Sequence, residues 1–305
     1  MSAYKNWVII ICGPTAVGKT DLSLRLADLL KTEIISADSR QCYREMTIGV
    51  AKPSTDELAL TRHHFINSHH IVDDVNAATF GQYALCAVDE IFTRRQSVVM
   101  VGGTGLYIKA FTEGLDEIPG VPGEVRMNIV SNYKAFGLQW LQQQVQLHDP
   151  KFWQIAEQSN PRRLMRALEV KLATNKSIVD FRKGEVTHRP FNIIKIGLEM
   201  ARQTLYERIN ARVDTMIASG LLEEVRQLLP FRDLPALQTV GYRELFDFID
   251  GKCTLEQAIE SIKTNTRHYA KRQMTWFKKD VSITWYQAEG QQDKHIVDSI
   301  IKNIN

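Results

Sequence analysis

The octapeptide Gly13-Pro14-Thr15-Ala16-Val17-Gly18-Lys19-Thr20 constrains this chain more than any other segment. It follows an apolar run, Trp7–Cys12, and opens a stretch of helical periodicity, Lys19–Leu30. Strand, GxxxxGK[ST] loop and helix therefore come in the order the motif requires. Glycine lets such a loop curl until successive backbone N–H groups point inward at an anion. The helix adds the positive end of its dipole, and Lys19 adds a full charge. Thr20 is suited to set its hydroxyl on a magnesium ion, Mg²⁺, that bridges two phosphates.

The rest of the N-terminal third keeps the same alternation. Glu33–Ser36 reads as a second strand, Phe80–Arg94 as a helix, and Ser97–Val101 as a third strand entering Gly102-Gly103-Thr104-Gly105. Strand and helix in turn predict a parallel sheet covered by helices. After Gly114 the texture changes. Ile118–Gly123 is rich in Pro and Gly, and from Glu124 to about Phe181 the pattern is helical. Near Arg189-Pro190 it reverts, with Asn192–Leu198 as a strand followed by long amphipathic helices. The expected fold is thus α/β, a P-loop-type parallel sheet carrying an inserted all-helical domain. The core spans 1–117 and 191–305, and the insertion spans 118–190.

With 305 residues and 44% apolar residues, the chain has room for two domains and a sizeable core. Its apolar runs are far too short to span a membrane, and no signal-peptide pattern opens it, so a cytoplasmic protein is expected. Cys12, Cys42, Cys86 and Cys253 form no CxxC pair and read as reduced thiols. Net charge is only +3, but two local stretches are strongly basic. One holds Arg162, Arg163, Arg166, Lys171, Lys176, Arg182 and Lys183. The other runs from Lys263 to Lys279 without an acidic residue. Such patches suit either a polyanionic partner or a solvated helix face. In the second, Lys263, Arg267 and Lys271 recur every four residues and repel one another along one face. That points to RNA phosphate as the compensating partner.

Nucleotide-hydrolysing phosphate-loop proteins hold Mg²⁺ with an Asp at the end of a later strand. Here that strand ends in Gly102-Gly103-Thr104 without a carboxylate, which weighs against an ATPase, a GTPase or a small-molecule kinase. Asp38, with Ser39, Arg40 and Gln41, follows the second strand, at the sheet edge where ligands bind. It is placed either to take a proton from a substrate or to cap the next turn. Arg208 and Arg212 flank an apolar helical stripe and fit either snorkelling or a site. The histidines at 63, 64, 69 and 70 match no common zinc spacing, and no metal role is expected of them.

Several motifs in order resemble the tRNA dimethylallyltransferase (isopentenyltransferase) family. They are GPTAVGKT (13–20), ISADSRQCYREMTIGVAKP (35–53), VGGTGLYIKA (101–110), EVR (124–126), NPRRLMRALEV (160–170), VGYREL (240–245) and AKRQMTW (270–276). The resemblance implies that residues 13–20 hold the diphosphate of dimethylallyl diphosphate, with Thr20 near Mg²⁺. It implies that Lys19, Asp38 and Arg212 are catalytic, Asp38 as the base that engages the adenine amine and Arg212 on the diphosphate. It assigns tRNA contacts to Asp38, Ser39, Arg40, Gln41, Thr104, Arg126 and the run Arg162, Arg163, Leu164, Met165 and Arg166. The same applies to Gln238, Thr239, Val240, Gly241, Tyr242 and Arg243. The acceptor would be the adenine next to the anticodon, position 37, flipped out of the stack so that its amine is reachable. The implied partners are the tRNA anticodon stem-loop and dimethylallyl diphosphate, for a protein expected to be a monomer. Val17 and Val50 depart from the family's usual residues. A relative acting on free AMP or ADP is the nearest rival, and the helical insertion argues against it.

Overall fold

The computed structural model describes residues 4–288 and 292–304. Six parallel strands form one sheet: β1 (Trp7–Cys12), β2 (Ile34–Ser36), β3 (His63–His64), β4 (Ser97–Gly102), β5 (Asn192–Glu199) and β6 (Ile283–Gln287), in the order β3-β2-β4-β1-β5-β6. Strand β1 lies between β4 and β5, and Val8 through Ile11 have no exposed surface. Its residues alternate between two cores, Val8, Ile10 and Cys12 in one and Ile9 and Ile11 in the other. This two-sided burial is why the run reads as continuously apolar.

Helices α1 (Lys19–Leu29), α2 (Thr55–Leu60), α3 (Ala77–Phe92) and α4 (Gly105–Glu113) belong to the N-terminal part. Gly18 begins α1 in the left-handed region, at φ 102°. The Asn76 side chain accepts the Ala78 and Thr79 N–H groups and starts α3. Register brings three strand ends to one edge, since Cys12 pairs with Gly102 and Ser36 with Val101. The loops after β1, β2 and β4 therefore gather there.

Two compact units divide the chain, Met1–Glu113 with His188–Asn305, and Gly114–Thr187. The second begins and ends a few residues earlier than the expected 118–190, for a local reason at each end. Asp116 Oδ1 accepts the N–H groups of Lys183 and Gly184, each at 3.0 Å, which groups 114–117 with the insert. The Arg189 side chain donates to the carbonyls of Phe111 and Ala110, which groups 188–190 with the core.

The second unit contains α5 (Gly123–His148), α6 (Pro150–Trp153) and α7 (Pro161–Thr174), followed by a 3₁₀ turn at Ile178–Phe181. Helix α5 breaks at Gly137, whose φ of 74° and ψ of −166° are not helical. Its core includes Ile129, Leu141, Val145, Leu164 and Leu168.

Helices α8 (Arg202–Ala218), α9 (Leu221–Gln227), α10 (Tyr242–Ile249), α11 (Leu255–Phe277) and α12 (Gln292–Ile304) complete the first unit, with a 3₁₀ turn at Leu229–Phe231. Strands β3 and β6 were not expected. The first is only two residues long, and the second reads Ile-Thr-Trp-Tyr-Gln, with a burial pattern too mixed to alternate cleanly. No helix among the described residues is long and apolar enough to cross a membrane.

Candidate active site

The phosphate loop follows β1 so closely that its first residue has no room for a side chain. A Cβ on Gly13, whose φ is 143°, would lie 2.6 Å from the Leu198 carbonyl oxygen of β5. Lys19 folds back over the loop and donates to the carbonyls of Gly13 at 3.1 Å and Pro14 at 2.6 Å. Burial, and then the charge of Arg212, pull its ammonium down to about 8, against the opposing pull of Asp38. Arg212, on α8, approaches the Thr15 hydroxyl at 3.4 Å. Burial lowers its own pKa, with Asp38 opposing and Arg208 adding to the effect.

These groups surround a cavity of about 330 Å³. Residues Thr15 to Thr20, Ser36, Asp38, Gln41, Arg208, Arg212, Tyr269 and Gln273 line it, along with parts of the loop after β4. The structure thus brings Arg208, left open by the sequence, to the same cavity as Arg212. The thiols of Cys12 and Cys42 are buried, which raises each to about 12 and leaves them protonated.

Asp38 stands just beyond β2. Its Oδ1 accepts the N–H groups of Arg40 at 2.8 Å and Gln41 at 3.3 Å, so the carboxylate caps the turn that follows. Its Oδ2 makes no hydrogen bond among the described residues. Asp38 therefore caps the turn through Oδ1 and also belongs to the cavity lining. Ser39 N–H donates to the Thr104 hydroxyl, and Thr104 N–H to the Ala37 carbonyl, which joins the loops after β2 and β4. Burial, and next the Asp38 charge, raise the Tyr269 phenol to about 12, against the opposing pull of Arg40, Arg272 and the Thr104 hydroxyl. Gln41 takes the Ser36 hydroxyl at 2.9 Å and donates to the carbonyls of Val50 and Ala51. Arg40 donates to the carbonyls of Ser39 and Pro235, and its buried Nε has no hydrogen-bond partner among the described residues.

Some residues assigned to tRNA contact have other occupations. Tyr242 is fully buried, its hydroxyl on Glu224 and its ring where a Cβ on Gly49 would be, so its side chain is a packing element. Leu164 is fully buried in the core of the second unit, and Met165 packs against that core. Gly241, at φ 96°, donates its N–H to Glu244 and starts α10. Gln238 donates to the Arg232 carbonyl, Thr239 accepts the Arg243 N–H through its own carbonyl, and Val240 is half-buried against the core. Arg243 is exposed. In the second unit, Arg162 is exposed, Arg163 pairs with Glu157, and Arg126 and Arg166 both approach Glu169.

On the basic face of α11, two of the three side chains that recur every four residues have partners within the protein. Lys263 binds Asp214 of α8 at 2.8 Å and Glu260 at 3.3 Å. Arg267 donates to Asn210 of α8 at 2.7 Å and to Thr264 at 2.9 Å. A neighbouring helix thus engages these two side chains, while Lys271 on the same face is exposed. The four histidines also part company. His63 bonds the Thr61 carbonyl, His64 Glu33, His69 Ser68 and His70 Glu45. Among the described residues no three His, Cys, Asp or Glu side chains gather as a metal cluster.

Gln273 and Glu224 were not singled out. Gln273 bonds the loops after β1 and β4 together, and Glu224 anchors the turn at Thr47–Gly49. For Gln273 a signal was present. It lies between Ala270 and Phe277 at helical spacing, a polar residue on an apolar face.

A family model described as IPP transferase matches residues 41–280. The chain belongs to that family. It is 48% identical over 300 residues to a tRNA dimethylallyltransferase of Christiangramia forsetii, covering 98% of this chain and 99% of that one. It is 44% identical over 286 residues to a tRNA dimethylallyltransferase 1 of Bacteroides thetaiotaomicron, covering 94% and 93%. The fold is similar to the crystal structure of the full-length tRNA isopentenylpyrophosphate transferase from Bacillus halodurans, with a TM-score of 0.72, 36% identity, and coverage of 98% and 97%. A eukaryotic dimethylallyltransferase described as acting on tRNA superposes with a TM-score of 0.79 at 25% identity, covering 98% of this chain and 80% of that one. The α/β fold is thus one this chain shares with solved tRNA isopentenyltransferases.

Proposed function

We propose that the chain transfers a dimethylallyl group from dimethylallyl diphosphate to the N6 amine of the adenine next to the anticodon, position 37, of tRNA. The observation that carries this reading is a single cavity lined by a phosphate loop, by Lys19, Arg208 and Arg212, and by Asp38. The cations suit a diphosphate, and the carboxylate suits the loss of a proton. An exocyclic amine is a weak nucleophile, so the allylic carbon must be made electrophilic by drawing charge onto its leaving group. In the transfer, the bond from the allylic carbon to the diphosphate oxygen breaks, and its electron pair leaves with the diphosphate. The amine nitrogen bonds that carbon and gives up a proton to Asp38. Loop N–H groups, Lys19, Arg208 and Arg212 stabilise the departing charge, and loss of one such group costs on the order of 10²–10³ in rate.

Mg²⁺ fits the cavity, because Thr20 brings a hydroxyl oxygen to it beside the phosphate loop and this ion keeps water and phosphate oxygens as its other ligands. Thr20 would hold it, and it would supply further positive charge to the diphosphate. The tRNA contacts are assigned to Ser39, Arg40, Gln41 and Thr104, to Arg126, Arg162, Arg163 and Arg166, and to the exposed Arg243.

Incubating the protein with labelled dimethylallyl diphosphate and either tRNA or AMP tests the reading. Label in the RNA supports it. Label in AMP alone, or in neither, overturns it.

A further inference from the structure

Gln273 is only 6% exposed, yet its amide uses both of its polar ends. Oε1 accepts the Thr15 N–H at 2.9 Å, and Nε2 donates to the Gly103 carbonyl at 3.0 Å. The two partners lie in the loops after β1 and β4, whose last residues, Cys12 and Gly102, are paired in register. Gly103 leaves the space that the amide fills, since a Cβ there would lie 2.1 Å from Nε2. Thr15 is also held from its other side, through the 3.4 Å approach of Arg212 to its hydroxyl.

Backbone N–H groups are what a phosphate loop offers an anion. The N–H of Thr15 is withdrawn from that set, because Gln273 has taken it. We propose that Gln273 is a positioning residue for the diphosphate. Its amide ties the loop at Thr15 to the loop after β4, so that the following N–H groups and Lys19 are held in the shape that receives the anion. The proposal rests on the diphosphate reading of the cavity. It requires one group that accepts and donates at once, which an amide does and a carboxylate does not.

That requirement supplies the test. Glutamate at 273 keeps the acceptor for Thr15 N–H, loses the donor to Gly103, and sets a negative charge beside the anion site. Protonated, it accepts through its carbonyl and donates through its O–H, as the amide does. Its burial beside a carbonyl oxygen raises its pKa and so favours protonation, against the opposing pull of Lys19, Arg208 and Arg212 in the same cavity. Inorganic diphosphate is titrated calorimetrically into the full chain, Gln273→Glu and Gln273→Met at pH 5 and pH 8. Thermal unfolding is followed in the same buffers. Affinities are expressed relative to the unsubstituted protein at each pH, which cancels protonation of diphosphate and of Lys19.

The expected result is about tenfold weaker binding by Gln273→Glu at pH 8, the scale of one or two lost hydrogen bonds, with most of the loss recovered at pH 5. Gln273→Met should be weakened by a similar factor at both. Recovery at pH 5 cannot come from a misfolded chain, so Gln273→Glu decides the matter even where Gln273→Met is unstable. A Gln273→Glu ratio that is the same at both pH values overturns the proposal, as does a folded Gln273→Met that binds like the unsubstituted protein. Failure of the unsubstituted protein to bind diphosphate at either pH overturns the cavity reading itself, an outcome distinct from the other two.

Discussion

The Tyr242 hydroxyl donates to Glu224 Oε1 at 2.7 Å, and the same carboxylate accepts the N–H groups of Thr47, Ile48 and Gly49. Burial, and then the Glu224 charge, keep the phenol protonated far above its ordinary range, so it remains a donor. One side chain of α9 thereby fixes a turn more than a hundred residues away in sequence. Glu224→Ala leaves these donors without an acceptor and should cost on the order of 3 kcal/mol, while Tyr242→Phe, which removes one bond, should cost about 1 kcal/mol. Urea denaturation measures both. A Glu224→Ala protein as stable as the parent would refute the anchoring role.

Asp38→Asn keeps an oxygen for the Arg40 and Gln41 N–H groups but has no base. Turnover of tRNA should fall at least about a hundredfold, with diphosphate affinity changed only a few-fold. Single-turnover transfer and calorimetry separate the two effects. Lost diphosphate binding with retained turnover at saturation would make Asp38 a structural or metal-linked group.

Lys19 should give diphosphate binding a pH dependence. Its ordinary value is 10.5 and its value in the folded chain about 8, so binding weakens as the ammonium is lost above pH 8. Lys19→Met should lack that step. In Asp38→Asn the step should move to lower pH, because the carboxylate that favours the ammonium is gone. The same shift sets a sign for stability. Between about 8 and 10.5 the unfolded chain binds the extra proton, so this site's contribution to stability rises with pH in that window. Calorimetric titrations from pH 7 to pH 10 check the binding, and a step unchanged in Lys19→Met would exclude Lys19 as its source.

Lys263→Gln with Arg267→Gln should leave the salt dependence of tRNA binding unaltered, since both side chains are occupied by α8. Stability should drop instead, by about 1 kcal/mol, the scale of a pair of such contacts. Lys271 is exposed on the same helix, and Lys271→Gln should lower the salt slope by about one unit if RNA phosphate meets this face. Filter binding across a salt series measures both variants, and a flattened slope in the double variant would restore the phosphate role of Lys263 and Arg267.

Local chemistry was legible in the sequence, and long-range occupation was not. Strand β1 and the loop after it were readable because two-sided burial and the glycine spacing each leave a local mark. Asp38 was findable from its position after β2. Its capping bonds were an open alternative that the structure assigns to one oxygen. Lys263 misled because its charge is local information and Asp214, which neutralises it, lies on another helix. Leu164 and Tyr242 misled similarly, for a motif names a segment without saying which side chains within it point inward. The break in α5 rests on one glycine among helix-forming neighbours, and Gly137 carried no sign of its left-handed φ.

The loop after β4 has given its side-chain space to others. A Cβ on Gly102 would meet the Ala37 carbonyl oxygen at 2.2 Å, one on Gly103 the Gln273 amide at 2.1 Å, and one on Gly105 the Trp276 indole at 2.1 Å. The loop therefore offers an evolving or engineered lineage almost no place to write new preferences. Any change in the shape of this loop must come through the residues that lean on it, Ala37, Gln273 and Trp276. Randomised libraries aimed at the glycines themselves would return mostly unfolded protein, whereas libraries on the facing side of α11 would sample altered cavities.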